Sequence, residues 1–491
     1  MSENNRKQQT EGQGRPARPA GDVRRSGRPD AEQRASHRPT VPAGRPSSPA
    51  GARPPQQKSV SGRAGNSPAK KTALPAERKK QTSLAESGEE KKSLIATLRG
   101  GILAPRKVKD EKWDSQEIQR QRHGVDRPML IIILVLIALG TVMVFSASFP
   151  SALKEKGDSY YYIRNQLMWV AIGGVLMTVI SAVPYKLIRA FSPAAAIIAA
   201  VLLVLVLILG TARGVAQRWL SLGFVSFQPS EFAKAALILF LAYYIDKHYE
   251  SISKRLDKKK SYWHGIAMPG LILFGFCGLV LLEKHLSGTI ILGLIGVAII
   301  FFSGANILWM ALTYGSLASV GIVYYLMKNE YALKRIITHS DENADVLDEA
   351  WQTTQGLLAI GNGGLLGMGL GESNLKYNYV SEAHNDFIFT IWCEEMGFVG
   401  AILLIALYGV FIWRGVTIAK KAPDAFSSLT AFGITMQVGI QSALNIMVVT
   451  NIIPNTGVSL PFFSYGGTSL IILMAEMGIL LSISKHSYQK K

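Results

Sequence analysis

The sequence predicts an all-α polytopic membrane protein with about ten transmembrane helices, a large extracytoplasmic loop between spans 7 and 8, and a disordered N-terminal tail. Three observations support this fold class. Long apolar runs dominate from Met129 onward, ten of them approach the roughly 20 residues that a membrane helix needs, and most of the formal net charge of +19 precedes the first run. Charged and apolar residues are thus segregated along the chain.

The first 128 residues carry 28 Lys/Arg and 14 Asp/Glu, a net charge of +14. They are rich in Arg, Pro, Ser, Gly and Gln and cannot bury enough apolar surface to offset chain entropy. We therefore predict a disordered basic cytoplasmic tail over residues 1–128. Within it, residues 91–109 interleave Leu and Ile with Lys and Arg, as in a short helix lying on anionic membrane lipid. No nucleic-acid-reading module accompanies the charge, so we expect no nucleic-acid partner.

The membrane domain is predicted over residues 129–484. Its first apolar run follows too long a polar stretch to be a cleaved signal peptide, so it is expected to act as a signal anchor. The sixth span is short and partly polar. The ten candidate spans are 129–147, 165–183, 192–210, 230–246, 264–282, 288–303, 306–327, 386–413, 428–450 and 465–484.

Loop charge predicts the orientation, because basic residues favour the cytoplasmic side. Loops assigned to that side carry Lys and Arg, as does the C-terminal tail 485–491, whereas the outer loop 328–385 has eight acidic and four basic residues. This indicates a multi-pass plasma-membrane protein with both termini cytoplasmic. Absence of the sixth span would move the long loop and the C-terminus to the opposite sides.

Polar residues collect at the predicted outer ends of the spans, where charge is costly and therefore indicates function. Glu231 and Lys234 open the fourth span three residues apart, so they share a helix face and can pair; the alternatives are a structural ion pair and a cation aimed at a phosphate. Glu283 and His285 lie in the run 282–289, which we interpret as a non-helical break lining a cavity.

Three further segments complete the set. The glycine-rich run 360–371 lacks the Lys-Ser/Thr of a nucleotide loop; we interpret it as a conformable loop near a bulky substrate, the alternative being a flexible or tightly packed loop. Asp386 opens the eighth span, where an acid can also be a simple helix cap. The run 451–470, with two prolines and three glycines, predicts an irregular hairpin before the last span.

In this order, the segments resemble the SEDS family of bacterial cell-wall glycosyltransferases, which includes FtsW, RodA and SpoVE, and most closely its FtsW branch. The resemblance covers about 129–484. Its most specific parts are Gln-Pro-Ser-Glu at 228–231, Glu-Ala-His-Asn-Asp-Phe at 382–387 and Ser-Tyr-Gly-Gly-Thr-Ser at 464–469.

The resemblance implies a polymerase of lipid II, the undecaprenyl-pyrophosphate-linked disaccharide peptide, acting at the outer membrane face during cell division. Its implied partners are a class B penicillin-binding transpeptidase and other divisome proteins. Asp386 matches the family's essential aspartate, and Arg218 and Lys234 match basic positions of the outer cavity. Glu231 and His384 belong to the matching motifs and are assigned to substrate binding.

The chain departs from the family where Pro-Asp-Leu-Gly-Thr is replaced by Lys-His-Leu-Ser-Gly-Thr at 284–289. Any role of the missing aspartate therefore falls to Glu283 or His285, or is absent. The family's His-Thr-Asp reads His-Asn-Asp at 384–386, and its Gly-Tyr-Gln reads Ala-Trp-Gln at 350–352.

The chemistry of glycosyl transfer agrees with these assignments. It needs a base near the acceptor hydroxyl and positive charge near the departing pyrophosphate. We expect Asp386 to be the general base and Arg218 and Lys234 to stabilise the leaving group. No metal-ligand set is identified and no cofactor is certain, although a divalent cation, Mg²⁺ or Mn²⁺, is compatible with this step.

Three alternatives stay open: a lipid II flippase, a RodA-like elongation polymerase, and a non-catalytic scaffold, against which Asp386 argues. A flippase is expected to carry polar groups through the bilayer centre. Here the polar residues cluster toward the outer ends, and the main exceptions are Glu394, Glu395 and Glu476.

Overall fold

The computed structural model describes residues 124–213, 216–221, 226–253, 257–328, 333 and 351–487. Three predicted regions lie outside these residues. They are most of the N-terminal tail with its segment 91–109, the acidic part of the outer loop, and the end of the C-terminal tail. The helices are α1 (Arg127–Lys156), α2 (Tyr161–Ala182), α3 (Tyr185–Leu209), α4 (Pro229–Lys247), α5 (Tyr249–Ser253), α6 (Lys258–Tyr262), α7 (Met268–Leu282), α8 (Leu286–Phe302), α9 (Ile307–Lys328), α10 (Trp351–Asn362), α11 (Ile388–Lys420), α12 (Ala425–Val449) and α13 (Gly467–Ser484).

All ten predicted spans are helical, which confirms the fold class. Within the described residues, eight helical segments are long and apolar enough to cross a membrane. The two others are α4, which carries charged residues at both ends, and α8, which is only 17 residues long. In the fifth span, α6 continues through a π-helical turn, Trp263–Ala267, into α7. The chain is therefore a multi-pass helical membrane protein.

A small antiparallel sheet, which the sequence analysis did not predict, follows α3. Its strands are β1 (Thr211–Arg213), β2 (Ala216–Ser221) and β3 (Ser226–Phe227), in the order β1-β2-β3. The strands β1 and β3 are too short for a periodic sequence signal, since alternation needs about four residues or more to be visible, and the six residues of β2 do not alternate between apolar and polar. The sheet carries Arg218 into the site.

The centre of the bundle is formed by α12 and α13. The helix α12 packs against α11, α4 and α8, and α13 packs against α2. In contrast, α2, α3 and α9 leave many large apolar side chains exposed, as expected for surfaces that face lipid. One ion pair joins the beginning of α1 to α11: the Arg414 guanidinium binds both carboxylate oxygens of Asp126, with Nη2–Oδ2 at 2.7 Å.

The helix α11 breaks at Gly397, whose backbone has φ 67° and ψ −170°. The glycine-rich run packs into this break, because Phe398 and Val399 donate main-chain hydrogen bonds to Gly364 and Leu365 at 2.9 and 3.1 Å. A Cβ on the neighbouring Gly367 would lie 2.2 Å from a main-chain oxygen. The tightly packed alternative is therefore correct, and the glycines serve a close backbone contact.

Candidate functional site

Four segments that are distant in sequence meet at one end of the bundle. They are β2, the α7–α8 break, the loop before α11, and the segment between α12 and α13 that was predicted to be irregular. Arg218 Nη2 donates to the main-chain oxygen of Lys284 at 2.6 Å, which joins β2 to the break. Ser287 Oγ, in the first turn of α8, donates to the main-chain oxygen of Thr456 and joins the residues after the break to the irregular segment.

Asp386 lies two residues before α11 and is half-buried. The N-cap residue of α11 is Phe387, so Asp386 is not in the capping position. A Cβ placed on Gly457 would lie 3.0 Å from Asp386 Oδ2, which shows how closely the irregular segment approaches the carboxyl. Asn445 Nδ2 donates to the main-chain oxygen of Asp386 at 2.7 Å and so fixes the backbone of this residue.

The electrostatic surroundings of Asp386 favour a proton acceptor that works near neutral pH. Burial and the negative charge of Glu382 raise the pKa of Asp386, the Arg218 guanidinium opposes both effects, and the resulting pKa is about 6. Because a general base is most effective when its pKa is close to the working pH, this environment suits the predicted role.

Glu283 occupies the α7–α8 break, which is only three residues long because α8 resumes at Leu286. Its side chain is 1% exposed. Burial raises the pKa of Glu283 to about 8, against an opposing effect of Arg218. At pH 7 this carboxyl is therefore protonated.

His285 is buried in the same break, and its Nδ1 lies 3.2 Å from Ser230 Oγ. Burial lowers the pKa of His285 to about 3, and the positive charges of Arg218 and Lys234 act in the same direction. The imidazole is therefore neutral. It is able to orient a neighbour by hydrogen bonding, but it supplies no charge to a phosphate.

Lys234 and Glu231 form the ion pair that their spacing predicts, with Nζ–Oε1 at 3.0 Å. Lys234 is buried, and its Nζ also donates to Gln441 Oε1 at 3.0 Å. A cavity of about 20 Å³, lined in part by Glu231, Gln441 and Ser459, lies beside the pair. Much of the Lys234 charge is thus balanced within the protein.

His384 packs into an aromatic cluster. Its ring centroid lies 4.4 Å from that of Tyr162 and 5.9 Å from that of Tyr465, and its main-chain oxygen accepts from Tyr465 N at 2.9 Å. Burial lowers the pKa of His384, whereas the negative charges of Glu382 and Glu155 raise it. These contacts place His384 as a support for the loop that carries Asp386.

A row of amides that was not predicted lies on one face of α12 and is formed by Gln437, Gln441 and Asn445. We call this row the amide stripe. Its members are four residues apart, and such spacing puts them on the same helix face. Gln437 Nε2 donates to Glu476 Oε2 at 2.6 Å, while Gln441 binds Lys234. The available signal was this spacing of polar residues inside an apolar span.

Glu394 and Glu395 lie near the Gly397 break and bind the outer loop. Lys376 Nζ lies 3.0 Å from Glu395 Oε1, and both side chains are buried. Ser373 Oγ donates to Glu394 Oε2. These glutamates therefore anchor the loop that leads to Asp386. This structural role accounts for two acidic residues inside a predicted span, and it was not predicted from the sequence.

The described residues contain no group of three or more His, Cys, Asp or Glu side chains that could hold a metal ion. The donors near Arg218 thus do not form a metal site by themselves. A divalent-cation requirement stays a prediction.

The fold and the site together define a polytopic helical membrane protein with two carboxyl groups and a guanidinium gathered at one end of its bundle. Residues 127–489 match the FtsW/RodA/SpoVE family, which is described as cell cycle proteins, and the chain belongs to this family. The family expected from the sequence motifs is thereby confirmed.

Relatives and solved structures agree with this assignment. Stage V sporulation protein E of Bacillus subtilis (strain 168) is 38% identical over 365 residues, covering 74% of this chain and 97% of that protein. A probable peptidoglycan glycosyltransferase FtsW of Geobacter sp. (strain M18) is 36% identical over 369 residues, covering 74% and 98%. The rod shape determining protein RodA of Thermus thermophilus has a TM-score of 0.55 at 27% identity, covering 74% and 98%. A chain of a peptidoglycan synthase complex, studied for its coordination of polymerization and crosslinking, has a TM-score of 0.61 at 25% identity, covering 74% and 99%.

Proposed function

We propose that the chain is a peptidoglycan glycosyltransferase that polymerises lipid II into glycan strands at the outer face of the plasma membrane, with both termini cytoplasmic. The observation that carries the proposal is the position of Asp386, whose carboxyl lies against Gly457 and in the field of Arg218. The relatives named peptidoglycan glycosyltransferases support the reaction class.

Asp386 acts as the general base in this proposal. It accepts the proton of the acceptor sugar hydroxyl while that oxygen bonds to the anomeric carbon of the donor. The bond from this carbon to the pyrophosphate breaks, and its electron pair leaves with the pyrophosphate. Arg218 is the cation that stabilises the departing charge, because fixed charge in a site that excludes water is effective at a developing anion. A similar role for Lys234 stays a prediction, since Glu231 and Gln441 already engage its ammonium.

We assign the polymerase to cell division, together with a class B penicillin-binding transpeptidase and other divisome proteins as partners. The FtsW relatives support the division role, and the solved complex that couples polymerization with crosslinking supports a transpeptidase partner. A RodA-like elongation role is the alternative within the family. Depletion of the protein in its host separates the two: filaments with unfinished septa support division, and rounded cells support elongation.

Polymerisation of purified lipid II tests the reaction directly. The wild-type chain is expected to form glycan strands, with and without the partner transpeptidase, and Asp386→Ala is expected to form none. Asp158→Ala is the matched control, because Asp158 lies in the α1–α2 loop, where Arg164 is its ion-pair partner. Full activity of a folded Asp386→Ala protein would exclude Asp386 as the base.

A lipid II flippase is the second candidate, and one observation favours it. Glu476 lies halfway along α13, is buried, and accepts a hydrogen bond from Gln437, so polar groups do reach the interior of the bundle. Proteoliposomes that contain labelled lipid II distinguish the two functions. Transbilayer movement that needs Glu476 and persists in Asp386→Ala would establish flipping, whereas the polymerase proposal expects no such movement.

A further inference from the structure

One buried acid of the site has no protein partner to explain it. Within the described part of the chain, neither carboxyl oxygen of Glu283 has a hydrogen-bond partner, although the side chain is 1% exposed. Burying a polar group without a partner destabilises the folded state. A buried carboxyl without a protein partner, at a site proposed for glycosyl transfer, points to a hydrogen bond made with a ligand.

The two residues that follow Glu283 are held by hydrogen bonds, whereas its own carboxyl group has no such partner among the described residues. Lys284 has a left-handed backbone with φ 55°, which is strained for a residue other than glycine. The Arg218 guanidinium binds the main-chain oxygen of Lys284, and His285 lies against Ser230. The two residues that follow Glu283 are therefore held by contacts with β2 and α4, which favours a preset position for its carboxyl.

Burial, rather than the charges around it, favours the neutral form of Glu283. Arg218 is the cation whose field reaches its carboxyl, while burial outweighs this effect and raises the pKa of Glu283 to about 8. The other nearby groups add little charge, because Lys234 is paired with Glu231 and the imidazole of His285 is neutral.

Protonation has a chemical consequence for this site. An ionised Glu283 would repel a pyrophosphate and offset the positive charge of Arg218. A protonated carboxyl does not offset that charge and adds an O–H donor of its own. The second carboxyl of the site, Asp386, has a lower pKa of about 6, so the two acids carry different protonation states near pH 7. Such a difference in pKa is typical of active-site carboxyl pairs whose members have different roles.

We propose that Glu283 is a catalytic residue that stays protonated and donates a hydrogen bond to the pyrophosphate oxygen that leaves the donor sugar, beside the Arg218 guanidinium. The inference rests on the proposed polymerase function. The hydroxyl proton of the acceptor goes to Asp386, the electron pair of the broken bond goes to the pyrophosphate, and Glu283 keeps its own proton. This contribution needs no further reactant.

The test compares the wild-type chain with Glu283→Gln and Glu283→Ala in lipid II polymerisation between pH 6 and pH 9.5. An amide donates a hydrogen bond from nearly the same position, so Glu283→Gln is expected to keep kcat within about threefold of wild type at pH 7. Removing the donor in Glu283→Ala is expected to lower kcat on the order of 100-fold, the usual effect of losing one such donor. Glu372→Gln, an exposed acid of the outer loop, is the matched control.

The pH profile supplies a readout that a structural role would not change. Wild type and Glu372→Gln are expected to lose activity as the pH rises through about 8, where Glu283 loses its proton, and Glu283→Gln is expected to keep its activity there. Equal inactivity of folded Glu283→Gln and Glu283→Ala would overturn the proposal, since it would indicate an ionised or proton-transferring carboxyl. Full activity of Glu283→Ala, or an unchanged alkaline decline in Glu283→Gln, would overturn it as well.

Failure of this inference is distinguishable from failure of the proposed function. If the wild-type protein fails to polymerise lipid II under every condition, the proposed function itself is wrong. If the wild type polymerises lipid II and the Glu283 variants match it in rate and pH profile, the inference about Glu283 alone is wrong.

Discussion

The side-chain amide of Asn445 donates to the main-chain oxygen of Asp386 at 2.7 Å and to that of Val458 at 2.6 Å. One amide thus joins the residue that we propose as the base to the irregular segment that faces it. Asn445 is fully buried on α12, so this junction is fixed to the most enclosed helix of the bundle. The geometry of the site therefore depends on a residue that does not contact the reacting atoms.

Replacing Asn445 with Ala is expected to leave two buried carbonyl oxygens without this donor, at a cost of about 1–3 kcal/mol in folding stability. Because Asp386 and the segment around Val458 are then free to move apart, we also expect kcat to fall about tenfold or more, with a smaller change in KM. Lipid II polymerisation and thermal unfolding in detergent measure the two effects. Asn362→Ala, at the exposed end of α10, is the control. Wild-type kcat in Asn445→Ala would show that the junction does not position the base.

The activity of the protein is expected to rise with pH through about 6. Asp386 must be ionised to accept a proton, and its pKa is raised from the ordinary value of 3.8 to about 6. Below that pH the carboxyl is protonated and the rate declines. Glu382→Gln removes a negative neighbour that raises this pKa, so the acid limb of the pH profile should move to lower pH. A limb that stays in place would show that another group controls it.

The buried ion pair of Lys376 and Glu395 offers a test of how the outer loop is anchored. Lys376→Met is expected to destabilise the protein by about 3–5 kcal/mol, because it leaves Glu395 buried without its cation. The double variant Lys376→Met/Glu395→Met removes both charges and should recover much of this loss. The Tm of each protein in detergent decides the point. Equal Tm values for the single and double variants would contradict the argument.

The glycine-rich loop is expected to be intolerant of side chains where it meets the Gly397 break. Gly363→Ala would place a Cβ 2.0 Å from the main-chain oxygen of Cys393, and such backbone overlap forces the loop away from α11. We therefore expect a lower Tm and lost polymerisation. Gly361→Ala is the matched control, because a Cβ there meets nothing within 4 Å. A Gly363→Ala protein as stable as Gly361→Ala would show that the packing is looser than described.

The helices and several local contacts were predictable from the sequence, because they depend on residues that are close along the chain. Hydropathy located all ten spans, and the three-residue spacing of Glu231 and Lys234 predicted their ion pair. The position of the non-helical break was also correct, although it proved shorter than expected. The motif at 382–387 identified Asp386, but its sequence did not tell a base from a helix cap.

Contacts between distant segments could not be predicted in the same way, since a single sequence contains no record of which loops meet. The glycine run illustrates this: its composition suited either a conformable loop or a packed one, and only the approach of the α11 backbone distinguishes them. The same holds for Glu394 and Glu395, which seemed to be candidate pathway residues until their partners on the outer loop were known.

The sequence by itself determined that this chain is a multi-pass helical membrane protein of the FtsW/RodA/SpoVE family, because span length, apolarity and ordered motifs are properties of the chain alone. The tertiary structure decided which polar groups share an environment. It brought Arg218 on a short strand to the break that holds Glu283, and it placed Asp386 opposite Gly457. The protonation states that distinguish the two carboxyl groups follow from that burial and proximity, which exist only in the folded protein.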